Sequence, residues 1–190
     1  MDIEEIRELL GNDFAFIYNE TYPVICDLGL DKNAKILDIG TGMGLMAITL
    51  ALFGFNVITG EPEDDDSKYA KQDWLESAQK AKVDHMITYT PFNAEKMPFE
   101  DSSFDAIFIQ GALHHIDDKK EVLKECDRTI KLNGIICIFE PNNEMLTFVR
   151  ENRDSDHPDS VDPRDYTQEI QLSVELKQLP FYDTFILKKI

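Results

Sequence analysis

Lys35-Ile36-Leu37-Asp38-Ile39-Gly40-Thr41-Gly42-Met43-Gly44 is the stretch of this sequence that decides the fold. A short apolar strand leads into Asp38, and glycines then stand at every second position. The apolar residues 45–52 follow directly and are expected to be helical. A strand, a tight turn and a helix N-terminus in this order are how α/β folds hold a nucleotide-like ligand, because glycine lets the backbone approach the ligand closely.

Composition limits the kinds of partner. The 190 residues fit one domain, and the net charge is −18, from 19 basic against 37 acidic side chains. Nucleic acid and anionic membrane are therefore poor candidates for a partner, and a small molecule is favoured. No apolar run approaches the roughly 20 residues that cross a bilayer. The acidic residues 1–6 lack the pattern of a secretion signal, so we expect a cytoplasmic location.

Strand and helix patterns alternate five times along the chain, with short connections. Predicted helices cover residues 2–10, 14–28, 44–53, 67–82, 117–130 and 142–150, and predicted strands after the first cover 55–60, 86–90, 104–109 and 135–139. This alternation predicts a parallel sheet with right-handed crossovers. Residues 168–176 alternate strictly and 181–190 are β-rich, which predicts an antiparallel pair that closes one sheet edge.

Two polar segments interrupt these patterns. The acidic run 61–66 precedes the predicted helix 67–82, where its carboxylates would favour the positive end of the helix dipole. Residues 151–166 are polar and contain two prolines, so we expect them to form a mobile surface loop and no second domain.

Four motifs in a fixed order resemble class I S-adenosylmethionine-dependent methyltransferases. The glycine stretch with its preceding acid is the first, and Asn93–Asp105 (NAEKMPFEDSSFD) is similar to a hallmark of their small-molecule, methyltransferase type 11-like branch. Residues 113–116 and the turn before the fifth strand resemble two more, although Asn133 and Ile135 depart from the usual Pro-Gly-Gly. Together they are far more specific than a glycine loop alone.

The resemblance implies an α/β fold: a Rossmann-like, seven-stranded, mostly parallel sheet with an antiparallel C-terminal strand pair and helices on both faces. It also implies one methyltransferase domain over residues 1–190. Within it, 1–34 would form an N-terminal helical lid, 35–141 the cofactor-binding core, and 142–190 a helix, a loop and a terminal β-hairpin.

The cofactor implied by the resemblance is S-adenosylmethionine, with S-adenosylhomocysteine as the product. The glycine backbone would pass beside the methionine part, Asp38 would receive hydrogen bonds from its amino group, and Glu61 would accept from the two ribose hydroxyls. The residues assigned to these roles are Asp38, Gly40, Gly42, Gly44 and Glu61. Two alternatives stay open: the glycines could serve only a tight turn, and Glu61 could be a helix-capping charge.

Four further residues are assigned to the adenine and sulfonium ends of the cofactor. Asn93 stands where the family usually has Asp beside the adenine, followed by Ala94, although Asn93 could equally be a turn residue. Gln110 and Gly111, at the end of the fourth strand, are expected near the sulfonium.

The acceptor side is less well defined. His114 and His115 are candidate general bases or substrate-lining residues, and Tyr18 and Tyr22 could line the acceptor pocket. No metal site is expected, because adjacent histidines on a turn rarely converge on one ion and the three cysteines form no CxxC pair.

The predicted function is transfer of a methyl group from S-adenosylmethionine to a small-molecule acceptor. The alternative is a catalytically inactive S-adenosylmethionine-binding partner or regulatory subunit. A nicotinamide-binding domain is disfavoured, because its G-x-G-x-x-G fingerprint needs glycine where this chain has Leu45. The short lid suggests a small substrate, or a pocket completed by the second subunit of a homodimer.

Overall fold

The computed structural model describes residues 2–70 and 72–189. Its α-helices are α1 Ile3–Leu10, α2 Asn12–Asp27, α3 Leu45–Leu52, α4 Trp74–Lys80, α5 Lys119–Thr129 and α6 Asn143–Asn152. Its strands are β1 Ile36–Ile39, β2 Val57–Gly60, β3 Ile87–Tyr89, β4 Phe104–Gln110, β5 Ile130–Pro141, β6 Leu172–Gln178 and β7 Tyr182–Lys189. Single 3₁₀ turns cover Asp84–Met86, Leu113–His115 and Pro163–Tyr166.

The seven strands form one sheet in the order β3-β2-β1-β4-β5-β7-β6. The five strands β1 to β5 pair in parallel, whereas β7 is antiparallel to both β5 and β6. This confirms the predicted mostly parallel sheet with an antiparallel C-terminal pair. The strand order reverses between β1 and β4, and the carboxyl ends at such a reversal form the crevice where α/β folds bind ligands.

Apolar side chains fill both faces of the sheet. Ile36 in β1 and Phe108 in β4 belong to the cluster under α1, α2 and α3, whereas Leu37 and Ile107 belong to the cluster that contains the apolar face of α5. Neighbouring strand residues point to opposite faces. The near-continuous apolar sequences of these strands therefore reflect burial on both faces. Within the part of the chain that the structure describes, no helix is long and apolar enough to cross a bilayer.

The largest departure from the predicted elements follows β2. Residues 67–82 are predicted to be helical, but α4 covers only Trp74–Lys80, and its N-cap is Asp73, whose carboxylate accepts from the Glu76 amide. The preceding residues, apart from Lys71, which lies outside the described residues, form turns and bends. The acidic run therefore lies well before the helix N-terminus, and the prediction that it stabilises the helix dipole was wrong.

Smaller differences occur at β5 and at the C-terminal pair. β5 begins at Ile130 rather than at residue 135, because the predicted turn is a bulge: Asn133 has φ +62° and the register with β4 shifts there. β6 begins at Leu172, four residues later than expected. The predicted last strand included Ile190, which lies outside the described residues.

The segment after α6 is more than a surface loop. His157 and Pro163 are buried, and the Arg150 guanidinium donates to the His157 carbonyl from two nitrogens, at 3.0 and 2.8 Å. Arg153 forms an ion pair with Asp13 of α2 at 2.6 Å. These contacts attach the segment to the N-terminal helices and to the carboxyl ends of the strands.

Candidate cofactor and acceptor site

The glycine loop joins β1 to α3 in the crevice. Gly40, Gly42 and Gly44 all have positive φ, at +89°, +46° and +77°, so side chains there would be strained. A Cβ on Gly40 would lie 2.8 Å from the Cβ of Ala112, and one on Gly44 would lie 2.9 Å from the Cβ of Trp74. The glycines therefore permit both the turn itself and the close packing of neighbouring segments onto it.

Asp38 lies beneath this loop and is only 1% exposed. Its Oδ2 accepts from the Thr59 hydroxyl at 2.8 Å, and the Thr59 and Thr41 hydroxyls are 2.9 Å apart. Burial, opposed by the Thr59 hydrogen bond and reinforced by the charge of Glu61, raises the pKa of Asp38 to about 7. Its other oxygen, Oδ1, is buried and has no hydrogen-bond partner. A buried acceptor without a donor is costly, so this atom fits a ligand that carries an N–H group.

Glu61 connects the end of β2 to the glycine loop. Its carboxylate is 6% exposed and accepts from the Gly42 amide at 3.0 Å. Because α4 begins only at Trp74, Glu61 does not cap that helix. The geometry therefore brings Asp38, the glycines and Glu61 together at the carboxyl ends of β1 and β2.

The other residues assigned to the cofactor follow β3 and β4. Asn93 is exposed, and its Oδ1 accepts from the Glu95 amide at 2.8 Å, so it is a turn residue whose oxygen keeps only one further lone pair. Ala94 beside it is buried. Gln110 donates to the Tyr182 hydroxyl at 3.2 Å, and Gly111 has φ +59°.

His114 and His115 lie on the 3₁₀ turn that follows β4. The His114 and Glu140 side chains are each 1% exposed, and Nδ1 of His114 lies 2.9 Å from Oε2 of Glu140. Burial and the neighbouring imidazoles lower the pKa of His115 to about 4, although Asp154 opposes this. The ring of Tyr69 lies over His115, with their centroids 4.6 Å apart.

The sequence reasoning missed Glu140, Tyr69 and His157. Glu140 stands at the carboxyl end of a parallel strand, a position that could have indicated it. His157 had no such signal, because it lies in a polar segment and approaches His114 only through the folded chain, with their ring centroids 5.1 Å apart. Tyr69 was missed because it lies in the range 67–82 that was predicted to be a helix.

Tyr18 and Tyr22 are not brought to this site. They pack on Phe53, at ring-centroid distances of 5.9 and 5.1 Å. Phe53 follows the last residue of α3, at the opposite end of that helix from Gly44. The expectation that these two tyrosines line the acceptor pocket is corrected by their position. They stabilise the contact between α2 and α3 instead.

Comparison with known protein families and sequences gives consistent results. The family model described as a methyltransferase domain matches residues 37–138. Demethylmenaquinone methyltransferase from Staphylococcus aureus is 28% identical over 149 residues, which are 76% of this chain and 59% of that protein. The 27-O-demethylrifamycin SV methyltransferase of Amycolatopsis mediterranei is 29% identical over 111 residues, 58% of this chain and 40% of that protein. The chain thus spans less than two thirds of these relatives' lengths.

The fold is also found among solved structures. A candidate S-adenosyl-L-methionine-dependent methyltransferase from Methanococcus maripaludis superposes with a TM-score of 0.76 at 22% identity. The match covers 98% of this chain and 91% of the other. At this identity the likeness shows the fold.

Proposed function

Because the chain belongs to the class I S-adenosylmethionine-dependent methyltransferases, we propose that it transfers the methyl group of S-adenosylmethionine to a small-molecule acceptor. The observation that carries this proposal is the unpartnered, buried Oδ1 of Asp38 beneath the glycine loop. An ammonium group at that point would donate a charge-assisted hydrogen bond to Oδ1 and would satisfy this uncompensated acceptor.

The residues present fit the cofactor in order along the sheet edge. Asp38 would hold the amino group, and the loop at Gly40, Gly42 and Gly44 would pass beside the methionine part. Glu61, already fixed by the Gly42 amide, would accept from the ribose hydroxyls. Asn93 with Ala94 would flank the adenine, and Gln110 with Gly111 the sulfonium. S-adenosylhomocysteine would be the product.

The chemistry requires positioning more than acid–base catalysis, because the methyl on a sulfonium is already activated. As the acceptor forms its bond to the methyl carbon, the carbon–sulfur bond breaks and its electron pair stays on sulfur. An acceptor that carries a proton must lose it. Of the two predicted bases, His114 is better arranged, because Glu140 orients its ring. A pKa of about 4 makes His115 a poor base near neutral pH.

Three observations support a small molecule as the acceptor. The two curated relatives named above act, by their names, on demethylmenaquinone and demethylrifamycin. The acidic chain disfavours nucleic acid, and the helices of the predicted lid, α1 and α2, are short, at 8 and 16 residues. A second subunit that completes the pocket in a homodimer, and a cytoplasmic location, stay predictions.

The alternative, a catalytically inactive S-adenosylmethionine-binding partner or regulatory subunit, shares the same binding site. Asn93 in place of the usual acid favours it, since its oxygen is partly used by the Glu95 amide. Binding alone does not separate the two functions, so turnover must be measured.

Two measurements on the whole chain test the proposal. Calorimetric titration with S-adenosylmethionine and S-adenosylhomocysteine should show one site, weakened in Glu61→Ala and unchanged in the control Glu63→Ala, whose side chain is exposed two residues later. Incubation with methyl-labelled S-adenosylmethionine and a metabolite pool should label one component. Cofactor binding without any labelled product would support the inactive partner, and absence of binding would contradict both functions.

A further inference from the structure

Three of the four histidines of this chain meet beside the proposed acceptor site. His114, His115 and His157 each offer a ring nitrogen, and these three nitrogens all lie within 4.8 Å of one another. Nitrogens that share one zinc ion at about 2.1 Å lie roughly 3.4 Å apart. The cluster therefore has to close by at most about 1.4 Å, and His115, the most exposed of the three, is the member that can rotate most easily.

The hydrogen bonds of two of these rings leave their Nε2 lone pairs available. Nδ1 of His114 faces a Glu140 carboxylate oxygen at 2.9 Å, and Nδ1 of His157 faces the Pro158 carbonyl at 3.0 Å. Both partners can only accept, so each Nδ1 carries the proton. Metal-binding histidines almost always donate their second ring N–H to a carboxylate or carbonyl in this way.

One of these lone pairs is an unexplained buried atom. Nε2 of His114 has no hydrogen-bond partner, although the side chain is only 1% exposed. A histidine that serves only the core would have this nitrogen satisfied. The ring that carries this atom lies beside the imidazoles of His115 and His157, at centroid distances of 4.2 and 5.1 Å, where a cation would complete its coordination.

The charges around the cluster are of both signs. The Asp154 carboxylate accepts from the Tyr69 hydroxyl and from Lys68, and both Asp154 and Asp65 act on His115. The positive charges are Lys68, which pairs with Asp154 at 2.7 Å, and Arg150, which is engaged with the His157 carbonyl and with Asp159.

We propose that His114, His115 and His157 bind one divalent transition-metal ion of the zinc type. Three imidazoles suit zinc and its neighbours, whereas calcium and magnesium prefer oxygen ligands. Three protein ligands leave a fourth position open, which is the arrangement of catalytic rather than structural zinc sites. The sequence expectation of no metal had considered only the adjacent histidines and the cysteines, without the third imidazole that the fold supplies.

The position of the cluster connects it to methyl transfer, and this step rests on the proposed function. The turn that carries His114 and His115 follows Ala112, which packs against Gly40 of the glycine loop. With its Nε2 on the metal, His114 would not act as the base; an acceptor hydroxyl bound at the open position would instead have its pKa lowered and would release its proton to water. The resulting oxyanion would attack the methyl carbon while the carbon–sulfur bond breaks toward sulfur. The predicted acceptor class is therefore a small molecule with an ionisable oxygen.

The test is metal binding by the full chain after treatment with EDTA and dialysis into metal-free buffer. Calorimetric titration with zinc chloride should give one site, and cobalt chloride should give the visible absorption of a tetrahedral nitrogen-ligated ion. We expect His157→Ala to weaken zinc binding by more than about 100-fold, and Glu140→Gln by about 10- to 100-fold.

The fourth histidine provides the matched control. His85 is exposed on the 3₁₀ turn before β3, outside the cluster, so His85→Ala should bind zinc as the unchanged chain does. His115→Ala offers a second ligand variant at an exposed position, should His157→Ala fail to fold. No zinc binding, or an equal loss in His85→Ala, would overturn the proposal.

The two proposals can fail separately. S-adenosylmethionine titration of the EDTA-treated chain reports on the cofactor site without the metal. If the cofactor binds and its methyl is transferred but zinc does not bind, the metal site is wrong and the methyltransferase stands. If zinc binds at the histidines but no acceptor is methylated with or without it, the metal site stands and the enzyme does not.

Discussion

The proposed cofactor half and the proposed acceptor half of this site are assembled in different ways. The cofactor half consists of Asp38, the glycine loop and Glu61, which follow one another along β1, the loop and β2. The acceptor half consists of His114, Glu140 and His157, which come from a turn, a strand end and the segment after α6. The first half can be found as a sequence motif because it is local. The second exists only after the sheet has brought distant segments together.

The largest effect is expected from a substitution that disrupts only the cofactor half. Gly42→Val should lower S-adenosylmethionine affinity by about 100-fold or more, which corresponds to roughly 2.7 kcal/mol. Residue 42 has φ +46°, and its Cβ would lie 3.4 Å from the Tyr69 carbonyl oxygen, so a β-branched side chain would distort the loop. Calorimetric titration should show this loss while zinc binding at the histidines persists.

Gly54→Val is the matched control for backbone strain. Gly54 has φ +94° but open space around its missing side chain, and it lies beyond the far end of α3. The Gly54→Val substitution should therefore lower thermal stability while leaving cofactor affinity unchanged. An equal loss of affinity in both variants would mean that general destabilisation, rather than the loop, explains the result.

An intermediate effect is expected at Asp38. Asp38→Asn removes the ionised partner of the cofactor amino group, and a charged hydrogen bond contributes about 1.5–3 kcal/mol, or roughly 10- to 100-fold in affinity. Because the pKa of Asp38 is about 7 in the free protein, the affinity of the unchanged chain should fall as pH drops below 7. Binding near pH 7 should release a proton, which calorimetry in buffers of different ionisation heat detects. A pH-independent affinity would contradict the role of Asp38.

The same residue predicts an opposite effect on stability. The pKa of Asp38 is raised from 3.8 to about 7 in the folded chain, so the folded state holds the proton more tightly than the unfolded state. The stabilisation of the folded state by this proton is fully present below pH 3.8 and is lost as pH rises through 7. Between pH 4 and 8, the free energy of unfolding of the unchanged chain should therefore decline relative to that of Asp38→Asn. Denaturant titrations at several pH values measure this difference, and parallel curves would refute it.

The smallest effect is expected where the two halves touch. Tyr69 lies against Gly42 by its backbone and over His115 by its ring, and its hydroxyl donates to Asp154. Tyr69→Phe removes only that hydrogen bond, which contributes about 1 kcal/mol. Cofactor and zinc affinities should therefore each change by less than about fivefold. If Tyr69→Phe instead lowered the cofactor or the zinc affinity by about 100-fold, as expected for Gly42→Val on the cofactor, the two halves would form one cooperative unit.

The parts predicted correctly from the sequence are those in which neighbouring residues determine the outcome. The parallel strands were recognisable because β1 and β4 are apolar on both faces, and the glycine loop because its spacing requires positive φ. Helix α4 was overextended because residues 67–82 have helical character, whereas contacts such as that between Tyr69 and Asp154 hold the first part out of a helix. Local propensity is a weak guide where such tertiary contacts compete with it.

Apart from His114, the acceptor half could not be predicted, for a similar reason. Tyr18 and Tyr22 were assigned to it because they lie in the N-terminal helices, but helix periodicity does not tell which end of a neighbouring helix a side chain reaches. They contact Phe53 instead. His157, by contrast, was not assigned to the site, because its sequence neighbours resemble a surface loop. In the folded chain, the hydrogen bond from Arg150 to its carbonyl helps to hold it beside His114.

The position of β7 between β5 and β6 has a consequence for synthesis of the chain. β5 lies between β4 and β7 and has seven residue partners in β7, from Ile135 opposite Lys188 to Pro141 opposite Tyr182. During translation, β5 emerges about 40 residues before β7, and chains lengthen at about 5–20 residues per second. For several seconds the nascent chain exposes an apolar strand with an unpaired edge, the feature that promotes aggregation.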